Sequence, residues 1–146
     1  MMRVLLASDH AGFALKQALA AHLQAQGVPF EDLGTFSAES VDYPDFAHAL
    51  AQRVQQEPET MGVLVCATGI GMSIAANRHR GVRAALCHDA YTAEMARRHN
   101  NANVLCLGGR VIGEAVAKQI LDIFLATPFD GGRHARRVAK LEEDHG

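Results

Sequence analysis

Cys66 stands at the end of a short apolar run, Val63-Leu64-Val65, and just ahead of Ala67-Thr68-Gly69-Ile70-Gly71. Those residue types in that order suit one chemistry. A free thiol has a pKa of about 8.5, and a helix N-terminus or a nearby cation lowers it. The thiolate can take a proton from carbon, and backbone N–H groups beside it can hold the enediolate oxygen that results. Glycines and small residues let the chain turn tightly and aim those N–H groups at a ligand. A second reading makes Cys66 a buried structural cysteine, since free cysteine is among the most buried residue types. Glycine loops after strands also bind many phosphates and nucleotides, so the loop alone leaves the ligand open.

Other residues could join this chemistry. Asp9-His10 follow the apolar run 4–7. A carboxylate and an imidazole there can bind hydroxyls and phosphate or move protons, or Asp9 can simply cap the next helix. His99-Asn100 close a helical stretch, where His99 is either an acid or a helix C-terminal cation. Arg133 and Arg137 are four apart and share a helix face, which suits a phosphate dianion. The plainer alternative pairs them with Glu142 and Glu143 on a solvated helix. Arg110, after Gly108-Gly109, is a third basic candidate. Tyr43 could line the site but fits better as packing at a helix start. Arg97 and Arg98 read as solvated helix-end cations. The eight histidines include no HExxH or HxH, and His79/His88 and His134/His145 lack a ligand rhythm, so no catalytic metal is expected.

The elements that must position these residues alternate in type. Strands are expected over 4–7, 28–33, 63–65, 83–87 and 103–107. Helices are expected over 14–26, 45–56, 72–77, 89–98, 112–125 and 133–144. Gly27 stops the first helix, Pro44 sits near the first turn of the second, and Asp89 caps the fourth. Alternating strands and helices with short connections predict a three-layer α/β/α sandwich on a five-stranded parallel sheet, Rossmann-like, with a C-terminal helix. Ligands in such sheets bind beyond the strand carboxyl ends, where strand order reverses. If the first and third strands are neighbours, Asp9, His10, Cys66 and the 67–71 loop line that crevice. The order of the fourth and fifth strands is open.

The 146 residues read as a single domain over 1–146. A formal net charge of −2 and the absence of tryptophan argue against a nucleic-acid partner. The first apolar run is too short to span a membrane. Three cysteines without CxxC spacing, and no leader-like segment, favour a reduced cytoplasmic protein.

Four stretches taken together carry a family resemblance: ASDHAG at 7–12, CATGIGMSIAANR at 66–78, ALCHDAYTAEMARRHNNANVLCLGGR at 85–110, and the Arg133/Arg137 tail. In this order, along essentially the whole chain, they resemble type B ribose-5-phosphate isomerase, whose fold is shared by galactose-6-phosphate isomerase subunits. The resemblance implies an aldose–ketose isomerase of the pentose phosphate pathway, interconverting ribose 5-phosphate and ribulose 5-phosphate without metal or cofactor. It implies that Cys66 is the base moving a proton between C2 and C1. Thr68 and the backbone of Ala67, Thr68, Gly69, Ile70 and Gly71 would hold the enediolate oxygen. His99 would protonate the ring oxygen, and Asp9 would bind or shuttle protons on sugar hydroxyls. His10, Arg133 and Arg137 would hold phosphate, with Asn100 and Arg110 completing the pocket. It also implies a homodimer, or a dimer of dimers, with the site between subunits. Ala67 departs from the family's more usual glycine and is tolerable if its φ is negative.

Two alternatives share these residues. One is the same chemistry on a six-carbon sugar phosphate such as allose or galactose 6-phosphate. The other is a non-catalytic nucleotide-binding α/β module, against which the first strand–helix turn lacks GxGxxG. A thiol redox protein is disfavoured without a resolving CxxC partner.

Overall fold

A computed structural model describes residues 2–145 of the chain. Five strands and six helices alternate: β1 Arg3–Ser8, α1 Phe13–Ala25, β2 Phe30–Asp32, α2 Tyr43–Gln56, β3 Thr60–Cys66, α3 Ile70–Ala76, β4 Ala84–Leu86, α4 Ala90–Arg98, β5 Val104–Gly108, α5 Glu114–Ala126 and α6 Arg133–Leu141. All pairings are parallel, in the order β2-β1-β3-β5-β4. The open question about the last two strands is thereby answered, with β5 inside and β4 at the edge. Burial agrees: every residue of β5 is buried, while β4 and β2 are only half-buried. An inner strand of a parallel sheet meets helices on both faces and needs apolar residues throughout.

Alternate residues of the inner strands feed two cores. Val4, Leu6, Val63, Val65, Leu105 and Leu107 face α1, α4 and α5. Leu5, Ala7, Leu64, Cys66, Val104 and Cys106 face α2 and α3. Helical spacing in α1 delivers Leu15, Leu19 and Leu23 to the first core, and Gly27, at φ 71°, ends that helix as expected. The Asp89 carboxylate caps α4, accepting the Thr92 N–H at 2.8 Å. The C-terminal helix is shorter than its charge pattern implied, stopping at Leu141 rather than Asp144. It is also the odd one: no residue of α6 is buried.

Two charges that look like surface residues are buried. Lys16 lies beside Leu15 on α1 and is fully buried, with Nζ donating to both oxygens of Asp32 at 2.7 and 2.6 Å. Arg97, expected in solvent, is 8% exposed. Its guanidinium donates to the carbonyls of Ala102 (2.6 Å) and Thr127 (3.2 Å) and to Asn101 Oδ1 (3.0 Å). Arg98 does reach the surface, where it pairs with Glu94 and Asp130. A buried cation persists only where its donors are met, and here Asp32 meets Lys16 while the turn after α4 and Thr127 meet Arg97.

Candidate active site

β1 and β3 are neighbours, in register from Arg3↔Thr60 to Ser8↔Val65. The chain leaves β1 toward β2 on one side and returns to β3 on the other. Strand order therefore reverses between them, and the expected crevice exists at their carboxyl ends. Asp9 is pinned there. Its N–H donates to Val65 O at 3.2 Å, and its Oδ1 accepts the Gly12 N–H at 3.0 Å. Gly12, not Asp9, is the N-cap of α1, and no side chain caps that helix; Asp9 instead closes the turn that leads into it. Asp9 Oδ2 has no protein partner among the described residues. His10 Nδ1 accepts the Val41 N–H at 3.2 Å, which leaves Nε2 as the nitrogen free to face a ligand.

The Cys66 loop is tightly built. Cys66 ends β3, 5% exposed, and its Sγ accepts the Gly69 N–H at 3.1 Å. Gly69 sits at φ 81°, a conformation costly for any residue with a Cβ, and a Cβ there would also come within 2.9 Å of the Leu107 backbone. Thr68 is exposed, and its Oγ1 accepts the Ile70 N–H at 3.2 Å. Ser73 N–H is the first in α3 to find a helical acceptor, Gly69 O at 3.1 Å. The N–H groups of Gly71 and Met72 precede it and lie in the turn where a helix leaves donors unsatisfied. Gly69 and Ile70, named with the loop as oxyanion donors, spend their N–H groups inside the loop. Ala67 is not among the positive-φ residues, so its methyl fits without strain. β5 backs the loop: Gly109 N–H donates to Cys66 O (2.8 Å) and Arg110 N–H to Ala67 O (3.0 Å). The Arg110 side chain is exposed at the same edge and has no carboxylate partner among the described residues. Tyr43, discounted as packing, lies against this loop, since a Cβ on Gly71 would meet its ring at 2.4 Å.

His99, Asn100, Arg133 and Arg137 gather elsewhere. His99 is the C-cap of α4, and α4 runs from the carboxyl edge of the sheet to the opposite edge, where β5 begins. The two edges are about 13 Å apart, counted along β5 at roughly 3.3 Å per residue. Asn101, at φ 48°, turns the chain there. The His99 ring stacks on His134 of α6, centroids 4.1 Å apart and planes 10° from parallel. Asp130 joins them, with one ligand atom from each of the three residues within 4.8 Å of the others. Sequence spacing gave no sign of this cluster, because its members are 31 and 4 residues apart. Burial, then His99 and the Arg133 and Arg137 guanidiniums, push His134 below the ordinary imidazole range. Glu142 is taken by Arg83 at 2.6 Å and Glu143 by His145 at 3.5 Å. The alternative pairing for Arg133 and Arg137 is thus overturned: both are exposed and have no carboxylate partner among the described residues. One chain therefore collects Asp9, His10, Cys66, the 67–71 loop and Arg110 at one edge, and His99, Asn100, Arg133 and Arg137 at the other.

All three cysteines are free and buried. Cys106 lies in the middle of β5, and burial pushes its thiol far up. Burial also raises Cys87, to about 11. Cys66 is the one of the three that ends a strand at the β1/β3 crevice. No helix among the described residues is long and apolar enough to cross a membrane.

A doubly wound parallel sheet with a thiol and a donor loop at its switch point defines an α/β ligand-binding fold with an equipped centre. The sequence model of the Ribose/Galactose Isomerase family matches residues 4–141, and the chain belongs to that family. It is 44% identical to ribose-5-phosphate isomerase B of Escherichia coli, across 97% of this chain and 95% of that one. A crystal structure of ribose 5-phosphate isomerase from Thermotoga maritima superposes with a TM-score of 0.95 at 53% identity, covering 97% of this chain and 98% of the other. The Mycoplasma genitalium ribose-5-phosphate isomerase B, solved with bound ribulose 5-phosphate, gives a TM-score of 0.94 at 41% identity, with 97% and 94% covered.

Proposed function

We propose that this protein is a ribose-5-phosphate isomerase, a single isomerase domain that moves a proton between C2 and C1 through an enediolate. The observation that carries the reading is the Cys66 thiol at the β1/β3 switch point, with a backbone N–H 3.1 Å from its sulfur. His99 protonates the ring oxygen as the furanose opens. The Cys66 thiolate takes the proton from C2 and returns it to C1. Thr68 and the N–H groups of Gly71 and Met72 hold the enediolate oxygen as charge builds on it. Asp9 holds a sugar hydroxyl through its free carboxylate oxygen. His10, Arg133 and Arg137 hold the phosphate, with Asn100 and Arg110 around it, and charge-assisted bonds from two guanidiniums suit a dianion.

These groups form one site only if two chains share it. The opposed edges described above support a homodimer, alone or paired into a tetramer, in which one subunit brings His99, Asn100 and α6 to the partner's Cys66 loop. So does the exposure of apolar residues at both ends. Ile70 and Ile74, one helical turn apart on α3, are 52% and 53% exposed, and Leu141 on α6 is 61% exposed. Contiguous exposed apolar surface marks an interaction face. The sugar phosphate substrate and the reduced thiols fit a cytoplasmic enzyme.

The test is isomerisation of ribose 5-phosphate by chelator-treated protein, with deuterium exchange at C2 followed in heavy water. Exchange is expected in the native protein and absent in Cys66→Ala. Native-rate exchange in that variant would remove the thiol from the mechanism. A parallel rate on allose or galactose 6-phosphate decides between five- and six-carbon substrates.

A further inference from the structure

Three side chains with metal-binding atoms converge where α4 ends and α6 begins. His99 comes from the C-cap of α4, Asp130 from the connection after α5, and His134 from the first turn of α6. One ligand atom of each lies within 4.8 Å of the other two. Their backbones are held: Asp130 N–H donates to Arg98 O at 3.0 Å, and Arg98 Nη1 donates to Asp130 Oδ1 at 3.2 Å. The two rings stack with centroids 4.1 Å apart and planes 10° from parallel, so their in-plane lone pairs run side by side and one ring must turn out of the stack before both can ligate one ion. Beside them opens a cavity of about 280 Å³, lined by His99, Asn100, His134, Arg137, Val138 and Leu141.

Two imidazoles and one carboxylate are the donor set of open transition-metal sites, in which three protein ligands leave a further position for solvent or another ligand. Such ions sit about 2.0–2.2 Å from nitrogen and oxygen donors, so the three atoms must close by an ångström or so. All three are terminal atoms of partly exposed side chains, so rotation suffices. The cavity provides both the approach and the open position. Arg98, Arg133 and Arg137 oppose a cation here, so the site is one of modest affinity that fills and empties, not a resident metal centre.

We propose that His99, Asp130 and His134 form a binding site for a divalent transition cation such as Zn²⁺ or Co²⁺, and that its occupation inhibits the isomerase. The inhibition rests on the reading of His99 as the ring-opening acid, because an imidazole nitrogen that ligates a metal cannot carry the proton it must deliver. The site itself does not rest on that reading. It differs from a catalytic metal site in its effect: loading it stops turnover.

Chelator-dialysed protein titrated with Co²⁺ reads binding without reference to activity, through the visible d–d absorption of a low-coordinate Co²⁺ centre. The bands are expected in the native protein and in Cys66→Ala. They are expected to vanish in Asp130→Asn and in His134→Gln, each checked for folding by circular dichroism. Zn²⁺ should inhibit the native enzyme. The half-inhibiting concentration should rise at least about tenfold in Asp130→Asn, since even outer partners of a metal site alter affinity by that much. Metal-free Asp130→Asn should keep native activity. No bands in the native protein, or unchanged bands in both variants, would overturn the site. Bands lost in Cys66→Ala would move the cation to the thiol and overturn it equally. Co²⁺ bound at the cluster with turnover unaffected would leave the site standing and remove His99 as the acid.

Discussion

The two edges of the sheet are built in different ways. At the Cys66 edge the parts hold one another: Gly109 and Arg110 N–H groups grip the loop from β5, Asp9 is tied to Val65, and His10 is tied to Val41. The buried Lys16 meets the half-buried Asp32 on the same side of the fold, and Asp32 also accepts the Gly34 N–H at 2.9 Å. At the His99 edge, α4 is anchored through Arg97, but α6 buries nothing and its arginines have no carboxylate partner among the described residues. One edge is tied together by hydrogen bonds within the chain, although Ile70 and Ile74 are exposed beside it. The other carries exposed charge and, at Leu141, exposed apolar surface. The homodimer proposed above would bring these two differently built edges together.

The largest expected effect breaks this comparison directly. Cys66→Ala and His99→Asn should each lower turnover by about 10²–10⁴-fold, the usual contribution of a proton-transfer group. Mixing the two after reversible dissociation should restore activity. Random pairing yields about half heterodimers, each with one intact and one doubly damaged site, so recovery should approach about a quarter of the native level. If verified heterodimers stay inactive, both residues serve one site within one chain, and the two-edge picture fails.

A smaller effect probes the completeness of the Cys66 edge. Lys16→Ala leaves the Asp32 carboxylate without the buried ammonium that meets it, and breaking a buried pair costs about 3–5 kcal/mol. Urea unfolding should show a lower midpoint with an unchanged slope. A cost under about 1 kcal/mol would mean that water replaces the lysine and that the pair does not anchor this edge.

Smaller again is the change at the open edge. Arg133→Ala or Arg137→Ala should weaken phosphate-bearing ligands by about 1.5–3 kcal/mol each, the range for hydrogen bonds to charged groups. The inhibition constant for inorganic phosphate reads this, and KM for the sugar should rise while kcat holds. Stability should not move, because neither residue is buried. An unchanged phosphate constant in the double variant would detach α6 from the site.

The smallest is a pH effect at the far end of α3, beside the cavity that Asn100 also lines. His48 Nδ1 and His79 Nε2 lie 2.6 Å apart between α2 and the turn after α3. Burial, then His48, holds the His79 pKa below the ordinary imidazole value. A folded-state pKa below the unfolded one means that the unfolded chain binds more protons in that interval. Stability is then full above about pH 6.5 and falls as pH drops toward the folded value. Melting temperatures from pH 7.5 down to 5 should decline less in His79→Gln than in the native protein. Identical slopes would assign the acid limb to other groups. The carboxylates of Glu31 and Glu57 are the nearest alternative. The Arg53 side chain holds both below their ordinary value, so their contribution is lost only at lower pH.

Much of the Cys66 edge was legible without coordinates, because it is local. Strand, glycine turn and helix start are contiguous in 62–81, and their residue types allow little else. Asp9 and His10 were legible for the same reason, each directly following a strand. The buried charges were not. Lys16 sits on α1 next to an apolar stripe, and only β2 brings Asp32 to it. Arg97 reads as a helix-end cation until Ala102 and Thr127 supply carbonyls. The free oxyanion donors also shifted. Glycine composition points to the whole 67–71 loop, yet Gly69 and Ile70 turn their N–H groups inward.

The sequence by itself determined the elements, their alternation and the placing of a thiol before a glycine loop, because hydrophobic period, caps and glycines act over a few residues. Tertiary structure decided which strand is central, which charges are buried and which side chains meet. Those outcomes depend on pairings between segments far apart in the chain, and nothing in local spacing encodes them. The parallel sheet settled the rest. It sends every strand's carboxyl end one way and each crossover helix back the other, so Cys66 and His99 end at opposite edges of one chain.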